Sequence, residues 1–204
     1  AETIRGIHEF EFVTVRNLDN AEDWSAPDYT TNAGDVAYVY YIGKFEVTAT
    51  QWVEFLNLVD PEGSNTLSLY NPAMATTGSG MQIESNGAGY GAHYYVVAGP
   101  SNPLSDVTWQ SAARFCNYLT SGNTSLGAYT PANWQATNRF WARTKYDAVY
   151  VIPTEDEWYK AAYHDGVGLT TNNYWDYPCQ SMSTGTNKAN FDASGFGQTI
   201  IVGS

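Results

Sequence analysis

Apolar side chains recur at helical spacing in three places, and each time a threonine stands just ahead of the run. Trp52, Phe55, Leu56 and Val59 follow Thr48 on one helix face. Thr48 can accept from the first turn while Gln51 reaches back to it, a capping box, and Pro61 stops the helix. Thr108 precedes a second stripe of Trp109, Ala112, Ala113, Cys116 and Leu119, all expected to face inward. Thr154 opens a third helix, with Glu157 completing its box and Trp158, Ala161 and Ala162 on one face. Glu155 and Asp156 place negative charge in that helix's first turn, where the backbone dipole favours it.

Between these helices the pattern is that of short strands and loops. Phe10, Phe12, Val13 and Val15 predict an N-terminal strand, and 19–34 is rich in Asn, Asp, Thr and Pro and reads as loop. Residues 36–47 are dense in Tyr, Val and Ile and predict a strand or hairpin arm with a turn or bulge at Gly43. A long insertion, 60–101, carries strand-like runs around Met81–Ile83 and Tyr94–Val97, with Gly87, Gly89 and Gly91 alternating at a flexible tip. Residues 122–138 read as loop, Tyr150–Ile152 as a short strand, 174–194 as mostly loop and Thr199–Val202 as a final strand. No repeat and no linker divides the chain, so a single domain over 1–204 is expected, α+β and loop-rich.

Composition narrows the partners. The 204 residues are 43% hydrophobic and 15% aromatic, which excludes a disordered composition. The formal net charge of −12 argues against nucleic acid and against an anionic membrane surface, both of which call for a basic face. No run approaches the length of a membrane helix, so membrane insertion is not expected. Scarce lysine, a surface rich in Thr, Asn, Tyr and Gly, and a first residue of Ala1 rather than Met favour a secreted or extracellular protein.

Three ordered words go further. They are Tyr41-Ile42-Gly43-Lys44-Phe45-Glu46-Val47-Thr48 with Gln51-Trp52-Val53-Glu54-Phe55-Leu56-Asn57, then Asn102-Pro103-Leu104-Ser105-Asp106-Val107-Thr108-Trp109 with Ala112-Ala113-Arg114-Phe115-Cys116-Asn117-Tyr118-Leu119, then residues 151–162 around the third helix start. A weaker fourth is Ala189-Asn190-Phe191 with Val202-Gly203-Ser204 after it. The chain from about Val36 onward resembles the N-terminal portion of the formylglycine-generating enzyme, or sulfatase-modifying factor, family. The resemblance implies a C-type-lectin-like fold with three capped helices. It also implies that the domain is C-terminally incomplete, because the family's later Asn-Val-Trp-Glu-Trp and Arg-Gly-Gly-Ser-Trp segments have no counterpart here.

The family's chemistry is copper-dependent oxidation of a cysteine in a target sulfatase, carried by a pair of thiols that suit Cu(I). Cys116 and Cys179 are the only cysteines and are distant in sequence, so no catalytic residue and no copper are expected from this chain. A Cys116–Cys179 disulfide and two separate thiols both remain open. The resemblance implies calcium at Asn190, Phe191 and Asp192, whose oxygens fit Ca²⁺, although a turn held by Asn and Asp side chains fits the same residues. His8, His93 and His164 share no ligand spacing, and no Gly-x-Ser-x-Gly elbow is present. Tyr90, Tyr94, Tyr95, Trp134, Trp141, Tyr174 and Trp175 are core rings by default and a stacking or partner surface where exposed; Asn123-Thr124-Ser125 matches a glycosylation acceptor.

The expected function is that of a secreted, non-catalytic domain for binding or structural assembly. Its expected partners are other protein chains, through self-association or a complementing C-terminal segment paired with Ile200-Ile201-Val202. Two alternatives stand beside it. One is a formylglycine-generating oxidase whose catalytic end lies outside this chain; the other is calcium-assisted carbohydrate binding.

Overall fold

The computed structural model describes residues 1–18, 20–24, 33–89, 91 and 93–183. In chain order the elements are strands β1 (Glu2–Ile4), β2 (Ile7–Phe10), β3 (Phe12–Val15) and β4 (Tyr40–Gly43), helix α1 (Ala49–Val59), strands β5 (Gln82–Ser85) and β6 (Tyr94–Ala98), and helices α2 (Trp109–Ser121), α3 (Arg139–Lys145) and α4 (Glu155–Tyr163). Single 3-10 turns at Pro72–Ala75 and Thr77–Ser79 interrupt the insertion. The chain forms two compact units: one of Ala1–Glu11 with Phe45–Ile152, the other of Phe12–Lys44 with the described residues of Pro153–Gly197.

The α+β, loop-rich character is present, but the expected lectin-like fold with three helices is not. Four α-helices occur among the described residues, and the strands form three separate two-stranded sheets, β1–β2, β3–β4 and β5–β6, all antiparallel. The additional helix, α3, was invisible to pattern reading because it lacks both usual signals. Asn138 makes no side-chain cap bond, and of its seven residues only Ala142 is buried, so no apolar stripe exists. The expected strand at Tyr150–Ile152 does not pair as a strand either. Its donors go to side chains instead: Tyr150 N–H to Thr120 Oγ1 (2.9 Å) and Ile152 N–H to Tyr129 Oη (2.8 Å). These two backbone donors thus find partners without a neighbouring strand.

The three helices that threonines announce are present with their caps. Thr48 and Thr154 close full capping boxes with Gln51 and Glu157, and Thr108 accepts from Ser111 N–H. Helix α1 ends at Val59, the last residue of the expected stripe and two before Pro61. Helix α2 ends at Gly122, whose φ of +81° is the left-handed closure glycine permits without strain.

The core of the first unit is apolar and aromatic. Trp52, Phe55 and Leu56 from α1 meet Phe115 from α2 and Phe10 from β2; Phe55 stands edge-on to Phe115 with ring centroids 5.0 Å apart. A second cluster joins Ala113 and Cys116 to Ala128, Tyr129 and Trp134, with Val149 to Ile152 packed against it. The loop between is pinned by buried Asn117, which accepts from Tyr129 N–H and donates to Tyr129 O. Gly127 passes so close to Asn117 Oδ1 that an added Cβ would collide with it.

The second unit is built otherwise. Strand β3 pairs with β4 in register from Phe12 opposite Gly43 to Val15 opposite Tyr40. The helix beside them in this unit, α4, buries Glu157 and Lys160 rather than Trp158, which is about half exposed at 52%. This corrects the inward face expected for Trp158; Trp109 on α2 is likewise 56% exposed.

Candidate functional site

In the second unit the buried ammonium of Lys160 donates to Asn17 O and Val36 O, both at 2.8 Å. Glu157 accepts from Tyr38 Oη through Oε1 (2.7 Å) and from Thr154 N–H through Oε2 (2.9 Å), and Tyr40 Oη donates to its carbonyl. Asp156 accepts from Gly34 N–H, and Asp23 accepts from Tyr159 Oη and Asn172 Nδ2. Tyr174 Oη donates to Ala21 O and receives from Asn20 Nδ2. Burial, reinforced by the Asp23 carboxylate it donates to, raises the Tyr159 phenol, and Tyr174 is pushed up to about 12, again chiefly by burial. Burial and the Lys160 charge hold His164 below its usual value, against a weaker pull from Asp165. Asp156 and Glu157 spend acceptors on tying Gly34 and Tyr38 to α4, and Asp23 on tying itself to Tyr159 of that helix, which is a structural use.

The two thiols differ sharply from a reactive pair. Cys116 lies inside α2, and burial pushes its pKa up to about 12, so it stays a protonated, inert thiol. Cys179 is a half-buried free thiol in the turn closed by Tyr177 N–H to Ser181 O. No disulfide forms between them. Copper chemistry needs soft, accessible thiolates side by side, and a buried Cys116 of that basicity does not fit it. Among the described residues no group of three or more His, Cys, Asp or Glu is placed to hold a metal ion. The expected calcium ligands Asn190, Phe191 and Asp192 lie outside the described residues.

The first unit offers two surfaces. One is an open acidic cleft of about 450 Å³ where Glu2, Glu9 and Glu54 surround His8. Its charges are partly spent internally, because Glu54 accepts from both His8 N–H (2.8 Å) and His8 Nδ1 (2.9 Å). The other is basic and aromatic. On α3, Phe140 is 82% exposed and Trp141 42%, and Arg143 and Lys145 are exposed on the same short helix. Lys145 Nζ stands 6.0 Å from the Trp141 ring centre, and Trp141 meets Tyr146 edge-on. Arg114 of α2 lays its guanidinium 4.3 Å over Trp134, while Trp109 Nε1 donates to Trp134 O. Nη1 of Arg114 is buried with no hydrogen-bond partner, and burial lowers the pKa of the group.

Of the rings expected as core or stacking residues, Tyr94 and Tyr174 are buried, Trp134 nearly so, and Trp141 is exposed. Sequence reading missed Arg114, Arg143 and Lys145 as a group. The signal was available: residues 107–146 contain four of the nine cations and none of the 21 acidic side chains.

The family profile described as the sulfatase-modifying factor enzyme 1-like domain matches residues 16–199, most of the chain, so the protein belongs to the formylglycine-generating enzyme or sulfatase-modifying factor family. No curated protein and no solved structure matches it.

Proposed function

We propose that this domain serves binding or structural assembly outside the cell and does not itself oxidise a sulfatase cysteine. The observation that carries the reading is Cys116: one of only two thiols, it sits buried in α2 with its pKa pushed up to about 12, so it stays protonated. The exposed rings and cations of α3 support a binding role, since aromatic residues and arginine dominate recognition surfaces. The test is aerobic incubation of the protein with copper and a Cys-x-Pro-x-Arg peptide, read by mass spectrometry. The expected result is unchanged peptide; formylglycine would overturn the reading. The proposal keeps calcium as the metal of Asn190, Phe191 and Asp192, checked by calorimetric titration of the chelator-treated protein with Ca²⁺.

A further inference from the structure

We propose that the acid-free stretch 107–146, through the exposed rings and cations of α3, is a docking surface for the acidic surface of a second copy of this chain. This deepens the assembly reading above and rests on it.

Charge is segregated along the sequence. Arg114, Arg139, Arg143 and Lys145 fall within 107–146, while the other five cations share the rest of the chain with all 21 carboxylates. A molecule of net charge −12 therefore carries one stretch of opposite sign, and its own copies are partners of complementary charge. The stretch also has what a protein interface uses. Phe140 is the most exposed large apolar side chain among the described residues, and it has no polar atom to repay contact with water. A partner that covers it must bring apolar surface along with carboxylates, which a folded protein does and a polyanionic polymer does poorly.

Arg114 adds an independent observation. Its guanidinium is half-buried on Trp134 with Nη1 unpartnered, and no carboxylate occurs anywhere from Thr108 to Tyr146. That buried Nη1 is closed to a carboxylate from outside, so what Arg114 contributes to the stretch is its positive charge. A basic face on one copy against an acidic face on another closes as a two-fold pair where both lie in one patch and builds rings or filaments where they do not.

The salt dependence follows. Two molecules of charge −12 repel at long range, and this repulsion is screened near 0.1 M salt, where the Debye length is about 10 Å. Direct pairs between Arg or Lys and carboxylates survive to higher salt and weaken toward about 1 M, where the Debye length is about 3 Å. Association is therefore expected to rise with salt, peak and fall.

Sedimentation velocity on the whole chain across protein and salt concentration tests this. The expected result is a mass that grows with concentration and peaks at intermediate salt. Arg143→Glu with Lys145→Glu should weaken association about tenfold or more, and Phe140→Ser should weaken it as well. Arg143→Lys, which keeps the charge, should change it less. Near-UV circular dichroism checks that each variant is folded, and Phe140→Ser leaves the charges of α3 untouched should the double reversal unfold it. A monomer at every concentration would overturn the proposal, as would association indifferent to all three α3 variants. So would a monomer retained on a sulfated polysaccharide resin in an α3-dependent way, which would assign the stretch to a polyanion instead. Peptide oxidation in the copper assay would remove the assembly reading and leave this measurement standing by itself.

Discussion

The two units solve the same problem with opposite chemistry. The first buries Trp52, Phe55, Leu56 and Phe115 in mutual contact, so its stability comes from apolar area and ring packing. The second buries Lys160, Glu157, Asp23 and Asn20 among tyrosines, so its stability rests on hydrogen bonds among buried polar groups. An apolar core tolerates approximate replacement by another apolar side chain, whereas a hydrogen-bonded core tolerates only replacements that keep the bonds. The difference also explains why pattern reading succeeded on α1 and failed on α4.

The contrast can be broken most forcefully at the aromatic centre. Phe115→Ala should cost about 3–5 kcal/mol by chemical denaturation, because it removes a ring that touches Phe10, Trp52 and Phe55. A loss under about 1 kcal/mol would show that the rings are not the core.

A pair of methionine substitutions sharpens the comparison. Lys160→Met keeps length and apolar volume but strips Asn17 O and Val36 O of a donor, and should cost about 1–3 kcal/mol. Leu56→Met, in the apolar core, should cost less than about 1.5 kcal/mol. Equal costs would refute the distinction. Gly34→Ala should also destabilise the second unit by about 1–3 kcal/mol, since Gly34 has a φ of +94° and an added Cβ would lie 2.7 Å from Tyr174 Oη. Protection of the second unit's amides against hydrogen exchange is the readout.

Helix caps should act alike in both units. Thr48→Ala and Thr154→Ala should each cost about 1 kcal/mol, because the boxes have the same geometry. A much larger loss at Thr154 would mean that the Glu157 network fails with it.

The smallest effect separates the units by pH. His164 has a lowered pKa, so the unfolded chain takes up its proton first as pH falls, and stability is lost from about pH 6.5 downward. In the first unit, burial pushes Asp60 up but bonds from Tyr94 Oη, Asn65 N–H and Ser64 outweigh it, leaving a lowered pKa. Its stabilisation is present above about pH 4 and lost below that, as pH falls through the folded value. Exchange protection should therefore decline in the second unit before the first; the opposite order would contradict the assignment.

Much of the architecture was legible along the chain. The three threonine caps, the stripe of α1 and the strand-forming runs that became β3 and β4 all follow from local chemistry. The resemblance to the family was read from the same local words, and the family profile matches residues 16–199. The inward faces of Trp109 and Trp158 were misjudged for one reason: periodicity marks a face as apolar but says nothing of what waits opposite it. At α4 the neighbouring chain offers carbonyls and phenols, so Lys160 turns inward and the indole outward. The site was less legible still. The acid-free stretch could be counted from the sequence, but the stacking of Arg114 on Trp134 joins residues from separate parts of the chain.

Where helices begin and end is a matter of a few neighbouring residues, since caps and turn glycines act over three or four positions, and the order of amino acids alone is enough for it. Which side chains are buried, which cation lacks a partner and whether a thiol can ionise depend on contacts between distant residues. Solvation is set by what packs around a group, and only the folded chain brings those neighbours together.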